Sequence, residues 1–285
     1  MKDYFGVDAD FLKNKKLFLF DMDGTIYKDN TLIPGTLELL NAIEESGGRY
    51  VFITNNSSKS VDDYIKKVNS LGIKANKDNF FTSAQASVLL LKEKYPGIKV
   101  YCQGTKSLIS ELKEKGIDVT EEISDDIGLV LVGFDTELTS EKLRKTCYIL
   151  TTKDVPYYAT NCDLRCPVSF GFIPDCGSIC SMIENCTQKK PIYIGKPKAT
   201  MVDIVMNKFG MTKNETAVIG DRLYTDIATG LNAGVTSICV LTGEATVKEI
   251  LNGNIKPDLT FENVMDIYNT IHWVLTRRPR FKGGA

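Results

Sequence analysis

Four polar clusters in this chain each follow directly on a short apolar run. Asp21-Met22-Asp23-Gly24-Thr25 follows Leu17–Phe20, and Thr54-Asn55-Asn56-Ser57 follows Val51–Ile53. Gly195-Lys196-Pro197 follows Ile192–Ile194, and the run from Gly220 through Asp221 to Asp226 follows Ala217–Ile219. Together they supply four aspartates, hydroxyl and amide groups, and one ammonium. Carboxylates in that number repel one another at short range unless a cation sits among them. Hard oxygen donors with few soft partners suit Mg2+, which readily keeps waters in part of its shell. A lysine and a strand-end hydroxyl beside such a site suit a phosphoryl group.

Taken singly, each cluster has a plainer explanation. Asp-Gly makes turns, Thr54–Ser57 could cap a helix, Lys196 could sit in an exposed loop, and Asp226 could open a helix. What separates the readings is their shared position. In open α/β sheets, ligands gather outside the carboxyl ends of the strands, and all four clusters occupy that place.

The elements that must position them follow from periodicity. Short Val-, Ile- and Phe-rich runs (Leu17–Asp21, Tyr50–Thr54, Lys99–Cys102, Leu129–Gly133, Tyr157–Thr160, Pro191–Ile194, Thr216–Gly220, Ser237–Leu241, Asp258–Thr260) alternate with amphipathic stretches such as Thr36–Glu45, Val61–Leu71 and Thr225–Ala233. Strands and helices taking turns predict parallel sheets with crossover helices, an α/β class. The strands read as continuous apolar runs, as sheets covered on both faces require.

Composition excludes several functions. Of 285 residues, 35 are basic and 36 acidic, leaving a net charge of −1, so nucleic acid and anionic membranes are not expected partners. No apolar run approaches the roughly 20 residues of a membrane helix, and the first 20 residues carry Asp3, Asp8, Asp10 and Lys13, unlike a secretory signal. The expectation is a cytoplasmic protein. The single histidine, His272, rules out sites built on two imidazoles, and its place in the amphipathic stretch Asn263–Leu275 points to a structural role. Cys162, Cys166, Cys176, Cys180 and Cys186 do not have zinc-ribbon spacing and are expected to be free thiols that bind no metal. There is no G-x-G, no Walker loop and no G-x-S-x-G. The terminal segment Arg277–Ala285 is expected to be frayed and solvated.

These residues resemble the haloacid dehalogenase superfamily. Its hhhhDxDGT motif is matched by Leu17–Thr25, its hhhT/S motif by Val51-Phe52-Ile53-Thr54, its lysine by Lys196 and its GDxxxTD motif by Gly220–Asp226. Asp23 and Thr54 are 31 positions apart, too close for a folded cap between them, whereas Thr54 and Lys196 are 142 apart. That spacing resembles the type-2 cap of NagD-like phosphatases, and Phe81–Ala84, Val132–Asp135, Ala159–Asn161 and Ile194–Pro197 resemble the same branch. The resemblance implies a Rossmann-like doubly wound core in two parts, 1–86 and 189–285, with an α/β cap inserted at 87–188. It implies a Mg2+-dependent phosphomonoester hydrolase acting on small phosphorylated metabolites, with 4-nitrophenyl phosphate as a surrogate.

By the same resemblance, Asp21 is the nucleophile that forms an aspartyl-phosphate, and Asp23 is the general acid and base. Mg2+ is held by the Asp21 carboxylate, the Asp23 carbonyl and Asp221, with Asp226 orienting that shell. Thr54, the backbone near Asn55 and Asn56, and Lys196 hold phosphoryl oxygens. Pairing of two copies through the cap is implied as well. A phosphotransferase or mutase shares these motifs, and a catalytically silent phosphate-binding protein could be built on the same fold. One departure is Pro174-Asp175-Cys176-Gly177-Ser178, where the branch usually carries Pro-Gly-x-Gly. The density of turn residues in Asn161–Gly177 predicts a loop that faces the substrate, with Asp163 and Arg165 setting specificity.

Overall fold

The computed structural model describes residues 1–168 and 170–276. The chain divides into two compact units, Met1–Val51 with the described residues from Val202 onward, and Phe52–Met201. Both are α/β, with parallel strands flanked by helices.

In the first unit the strands Leu17–Phe20, Thr216–Gly220, Thr236–Val240 and Leu259–Phe261 run parallel, in that spatial order. Leu17–Phe20 and Thr216–Gly220 are buried at every position, which accounts for the apolar runs Leu17–Phe20 and Ala217–Ile219. Their register pairs Leu17 with Thr216 and Phe20 with Ile219, so the two strands end within one residue of each other. Asp21 and Asp221 therefore leave the sheet side by side. Gly35 (φ 91°) precedes the helix Thr36–Glu45 where it meets the helix Val264–Thr276, and any Cβ there would overlap Met265. The sheet ends on Leu259–Phe261, whose backbone is engaged by the N-terminal segment. Tyr4 N–H donates to Thr260 O (2.8 Å), and Thr260 N–H donates to Asp3 Oδ2 (2.9 Å).

In the second unit the end of Arg49–Thr54 pairs in parallel with Phe80–Thr82, from Phe52↔Phe80 to Thr54↔Thr82. A separate five-stranded parallel sheet has the order Ile192–Tyr193, Tyr157–Ala159, Ile127–Val132, Lys99–Gln103, Val119–Thr120. The helices Ser140–Thr152 and Cys176–Thr187 pack together over one face of it, around Val130, Val132, Ile149, Leu150, Ile179 and Ile183. Helix starts are set by side-chain caps. Thr82 accepts from Gln85 N–H while Gln85 reaches back to Thr82 N–H, and Asp175 accepts from Cys176 N–H at the helix Cys176–Thr187.

The expected strands and helices are present with shifted ends, and two readings are corrected. Asn161–Gly177 is not a plain loop. It contains an antiparallel hairpin of Arg165–Val168 against Gly171–Pro174, and its last residues begin a helix. Thr225–Ala233 is not one α-helix either, because Leu223–Ile227 forms a π-helical turn before Ala228–Ala233. His272 lies on the exposed side of its helix, opposite buried Val264, Ile267 and Ile271, and stacks on Tyr268 with ring centres 5.2 Å apart. None of the thiols of the cysteine-rich stretch is in a disulfide; Cys176 and Cys180 are buried, Cys162 and Cys166 half-buried, Cys186 exposed. The terminal segment 277–285 lies outside the described residues, as does Ser169.

Glu111, on the helix Lys106–Glu114, is buried, and its Oε2 has no hydrogen-bond partner among the described residues. Burial, outweighing nearby Lys115, pushes its carboxyl up to about 7 from 4.5. A carboxyl that holds its proton more tightly when folded contributes full stability below pH 4.5, and loses that contribution as the pH rises through 7. Glu111→Gln should therefore match the parent protein at pH 4.5 and exceed it by about 1–3 kcal/mol at pH 8. Urea unfolding at the two pH values measures this; an equal difference at both would remove Glu111 as the cause.

Candidate active site

The register of the first unit brings three carboxylates together. Asp21, Asp221 and Asp226 each offer an oxygen, and these oxygens all lie within 4.8 Å of one another. Asp21 is half-buried and the other two are buried. Asp221 is held by Thr25 Oγ1, which donates to its Oδ1 (3.3 Å), and by Glu244 N–H, which donates to its Oδ2 (2.8 Å). Asp226 comes from the π-helical turn, where the N–H groups of Asp226 and Ile227 both donate to Arg222 O (3.0 and 3.2 Å). Its own Oδ2 accepts from Arg222 N–H at 3.1 Å. The extra residue of that turn carries Asp226 back over the end of its strand, against Gly220, where a Cβ would overlap its side chain.

Burial, followed by the charges of Asp21 and Asp226, pushes the Asp221 carboxyl up to about 8. The neighbouring Arg222 and the Glu244 amide pull the other way and do not cancel this. The cluster thus concentrates more negative charge than its own surroundings offset. Three hard oxygens so placed fit a divalent cation such as Mg2+, whose charge would favour the ionised form of Asp221.

Asp23 stands two residues past Asp21 and is half-buried, with the Tyr27 hydroxyl 3.4 Å from its Oδ2. The chain reverses there through Gly24 (φ 87°), whose N–H donates to Tyr27 O (2.8 Å). A Cβ on Gly24 would stand 2.7 Å from Asp221 Oδ2. Gly243 leaves still less space, since a Cβ there would overlap the Asp221 carboxylate outright. Gly243→Ala should push Asp221 out of the cluster and weaken binding of a divalent cation there at least tenfold. Calorimetric titration with Mg2+ tests this; equal affinity in parent and variant would show that Asp221 does not hold the ion.

In the second unit, the segment after Arg49–Thr54 meets the segment after Tyr157–Ala159 and the turn at Lys196. Thr54, Asn55 and Lys196 are all buried, while Asn56 is half-buried. Thr54 Oγ1 accepts from Asn56 N–H at 3.1 Å. Asn55 does not point outward. Its Nδ2 donates to Asp163 Oδ1 (3.2 Å) and Oδ2 (3.3 Å) and to Lys196 O (3.1 Å), and its Oδ1 accepts from Lys196 N–H (2.8 Å). Lys196 Nζ donates to Ile53 O at 3.1 Å. Asp163, expected to face the substrate, is instead buried, its carboxylate taken up by the Asn55 side-chain amide, which has a donor to satisfy there. Arg165 is exposed on the hairpin, its guanidinium 4.4 Å from the Phe172 ring centre.

Comparison with known proteins shows the family of the chain. A haloacid dehalogenase-like hydrolase model matches residues 18–118, and a second HAD-like hydrolase model matches 193–267. An acid sugar phosphatase of Staphylococcus saprophyticus is 31% identical over 256 residues, covering 90% of this chain and 98% of the relative. The 4-nitrophenylphosphatase of Thermotoga maritima superposes with a TM-score of 0.87 at 39% identity, over 92% of this chain and 99% of that one. NagD from E. coli K-12 does so at 0.80 and 30%, over 88% and 98%. The chain belongs to the haloacid dehalogenase-like hydrolases, in their NagD-like phosphatase branch.

Several residues that shape the site of this hydrolase were not singled out from sequence. Thr242, Gly243 and Glu244 wrap the Asp221 side of the cluster, with Thr242 Oγ1 donating to Gly24 O (2.5 Å) and Ala245 N–H to Asp221 O (2.8 Å). They follow the strand Thr236–Val240, so the strand-end rule that selected the other four clusters would have found them. Asn161, already marked by the sequence in Ala159–Asn161, is buried at the end of Tyr157–Ala159, and its Nδ2 donates to Asn55 O (2.8 Å).

Proposed function

We propose that this hydrolase is a Mg2+-dependent phosphomonoesterase that acts through an aspartyl-phosphate on small phosphorylated metabolites. The observation that carries the reading is the Asp21–Asp221–Asp226 cluster at the strand ends, with Asp23 one strand repeat beyond Asp21. Asp21, Asp221 and the Asp23 carbonyl would hold the ion, with the Asp226 carboxylate against them. When bound, Mg2+ supplies positive charge that offsets the phosphoryl oxygens.

The chain's own groups do the rest. An Asp21 oxygen attacks phosphorus, the bond from phosphorus to the ester oxygen breaks, and Asp23 passes its proton to the departing oxygen. Asp23, now a carboxylate, takes a proton from water as that water attacks the phosphorus of the aspartyl-phosphate. Inorganic phosphate leaves and the Asp21 carboxylate is restored. Thr54, the backbone amides near Asn55 and Asn56, and Lys196 bind the phosphoryl oxygens and favour the more highly charged transition state. The substrates named for the relatives, sugar phosphates and 4-nitrophenyl phosphate, share only a phosphoryl group, which supports a phosphomonoester as the common feature.

A core of 1–86 and 189–285 carrying a cap at 87–188 is part of this reading, as is a cytoplasmic location. No helix among the described residues is long and apolar enough to cross a membrane. Pairing of two copies through the cap is supported by exposed Leu164, Phe170 and Phe172 around the hairpin, and sedimentation of a Phe172→Asp variant tests it.

Hydrolysis of 4-nitrophenyl phosphate should disappear on chelation and return with Mg2+; activity that survives exhaustive chelation would reject the reading. Stability should follow the same ion. Folded Asp221 keeps its proton up to about 8, whereas the ordinary carboxyl releases it at 3.8, so the ion-free protein should lose stability as pH rises between those values. Mg2+ favours the ionised form, so the rise in Tm on adding it should be larger at pH 8 than at pH 5. A pH-independent rise would place the ion elsewhere.

A further inference from the structure

We propose that Asp163 is a positioning residue for Lys196, acting through the side-chain amide of Asn55. The proposal rests on the phosphatase reading, in which Lys196 binds the phosphoryl group.

Asn55 grips the Lys196 backbone from two sides, accepting from its N–H through Oδ1 (2.8 Å) and donating to its carbonyl through Nδ2 (3.1 Å). A carboxamide can present its oxygen and nitrogen in either of two orientations, and only one of them makes this grip. Asp163 selects it. An ionised carboxylate only accepts, so it draws Nδ2 to its side and leaves Oδ1 for the Lys196 N–H. The turned amide would set Oδ1 against the Asp163 carboxylate and Nδ2 against the Lys196 N–H, pairing acceptor with acceptor and donor with donor. In a buried place neither mismatch is relieved by water.

The rest of the cluster holds Asp163 where it can do this. Its N–H donates to Asn161 Oδ1 (2.9 Å), while Asn161 Nδ2 donates to Asn55 O (2.8 Å), closing a ring of contacts. Its carbonyl accepts from Gly177 N–H (2.8 Å), and a Cβ on Gly177 would overlap the Cys162 carbonyl. Gly195 likewise has no Cβ to displace the Asn55 oxygen. Gly177 belongs to the Pro-Asp-Cys-Gly-Ser stretch that departs from the usual pattern, so the glycine that matters for close approach is retained. Lys196 itself is 2% exposed, with Nζ tied to Ile53 O, so the place of its ammonium is dictated by its backbone rather than by side-chain freedom.

The test uses the full chain with Mg2+ and three readouts: kcat for 4-nitrophenyl phosphate, inhibition by inorganic phosphate, and Tm. Asp163→Ala should lower kcat about 10- to 100-fold and weaken phosphate inhibition by a similar factor. Asp163→Asn should recover most of both, because its oxygen can still accept from Asn55. In a Lys196→Ala background, Asp163→Ala should cost nothing further, since it acts only through that lysine. A variant that shifts Tm while leaving kcat and phosphate inhibition unchanged would overturn the proposal, as would losses that multiply in the double variant. If Asp163→Ala does not fold, Asp163→Ser carries the same readouts with the same expectations. Wild-type kcat in Lys196→Ala alone would reject the role of Lys196 in the phosphatase reading, whatever Asp163 does.

Discussion

Asp21→Asn is expected to abolish turnover with every phosphomonoester, by at least about 10,000-fold. The amide has no anionic oxygen with which to attack phosphorus, and the other two carboxylates of the cluster, Asp221 and Asp226, are buried where Asp21 is only half-buried. Acid-quenched enzyme should show one phosphate per chain in the parent protein and none in the variant. Folding should not be the cause of the loss. Asp21 is one of the two charges that raise the Asp221 carboxyl, so removing it relieves repulsion, and the ion-free variant should be more stable than its parent at pH 8. A phosphorylated Asp21→Asn variant, or turnover within tenfold of the parent, would mean that the nucleophile is elsewhere.

Asp23→Asn should divide substrates by their leaving groups. A sugar alkoxide needs a proton as it departs, and losing a general acid costs about 100- to 10,000-fold. 4-Nitrophenolate departs with little help, so its first turnover should proceed within about tenfold of the parent rate. Water activation is lost as well, so nitrophenolate should appear as a burst of one equivalent followed by slow release. The Tyr27 hydroxyl beside Asp23 Oδ2 can donate to the variant's amide oxygen, which keeps the local turn intact. Equal suppression of the burst for good and poor leaving groups, in a variant that still binds Mg2+, would remove Asp23 from the acid–base role.

Much of this was legible before any coordinates, and the reason is physical. Runs such as Leu17–Phe20 and Ala217–Ile219 are buried on both faces, so their sequence carries no polar interruption and their ends are marked by the first charged or small residue. The aspartates then follow from the rule that parallel sheets collect ligands at one edge. The hairpin Arg165–Val168 with Gly171–Pro174 was missed because none of its residues is fully buried; its exposure pattern mixes half-buried and open positions and leaves no apolar signature. The π-helical turn at Leu223–Ile227 was read as α-helix because one extra residue per turn does not alter hydrophobic spacing over five positions. Asp163 was misplaced for a different reason. A buried aspartate and a solvent-facing one are written with the same letter, and what separates them is the Asn55 amide, 108 positions away in the chain.

The strand Leu259–Phe261 closes one side of the first unit's sheet, and the backbone there is not left open. Asp3 turns its carboxylate onto Thr260 N–H while also accepting from Phe5 and Val7 N–H groups (3.0 and 2.7 Å), folding the N-terminal segment into a compact plug. A bare strand of this kind is a template on which another chain can add, and growth by such addition has no natural end. The plug therefore acts on a scale larger than one molecule. Its loss would leave the Asp21–Asp221–Asp226 cluster untouched, yet open the Thr260 N–H and carbonyl to pairing with another chain. These first residues would then bear on colloidal behaviour, through the Asp3 carboxylate that accepts from Thr260 N–H and the Tyr4 N–H that donates to Thr260 O, separately from the carboxylate cluster.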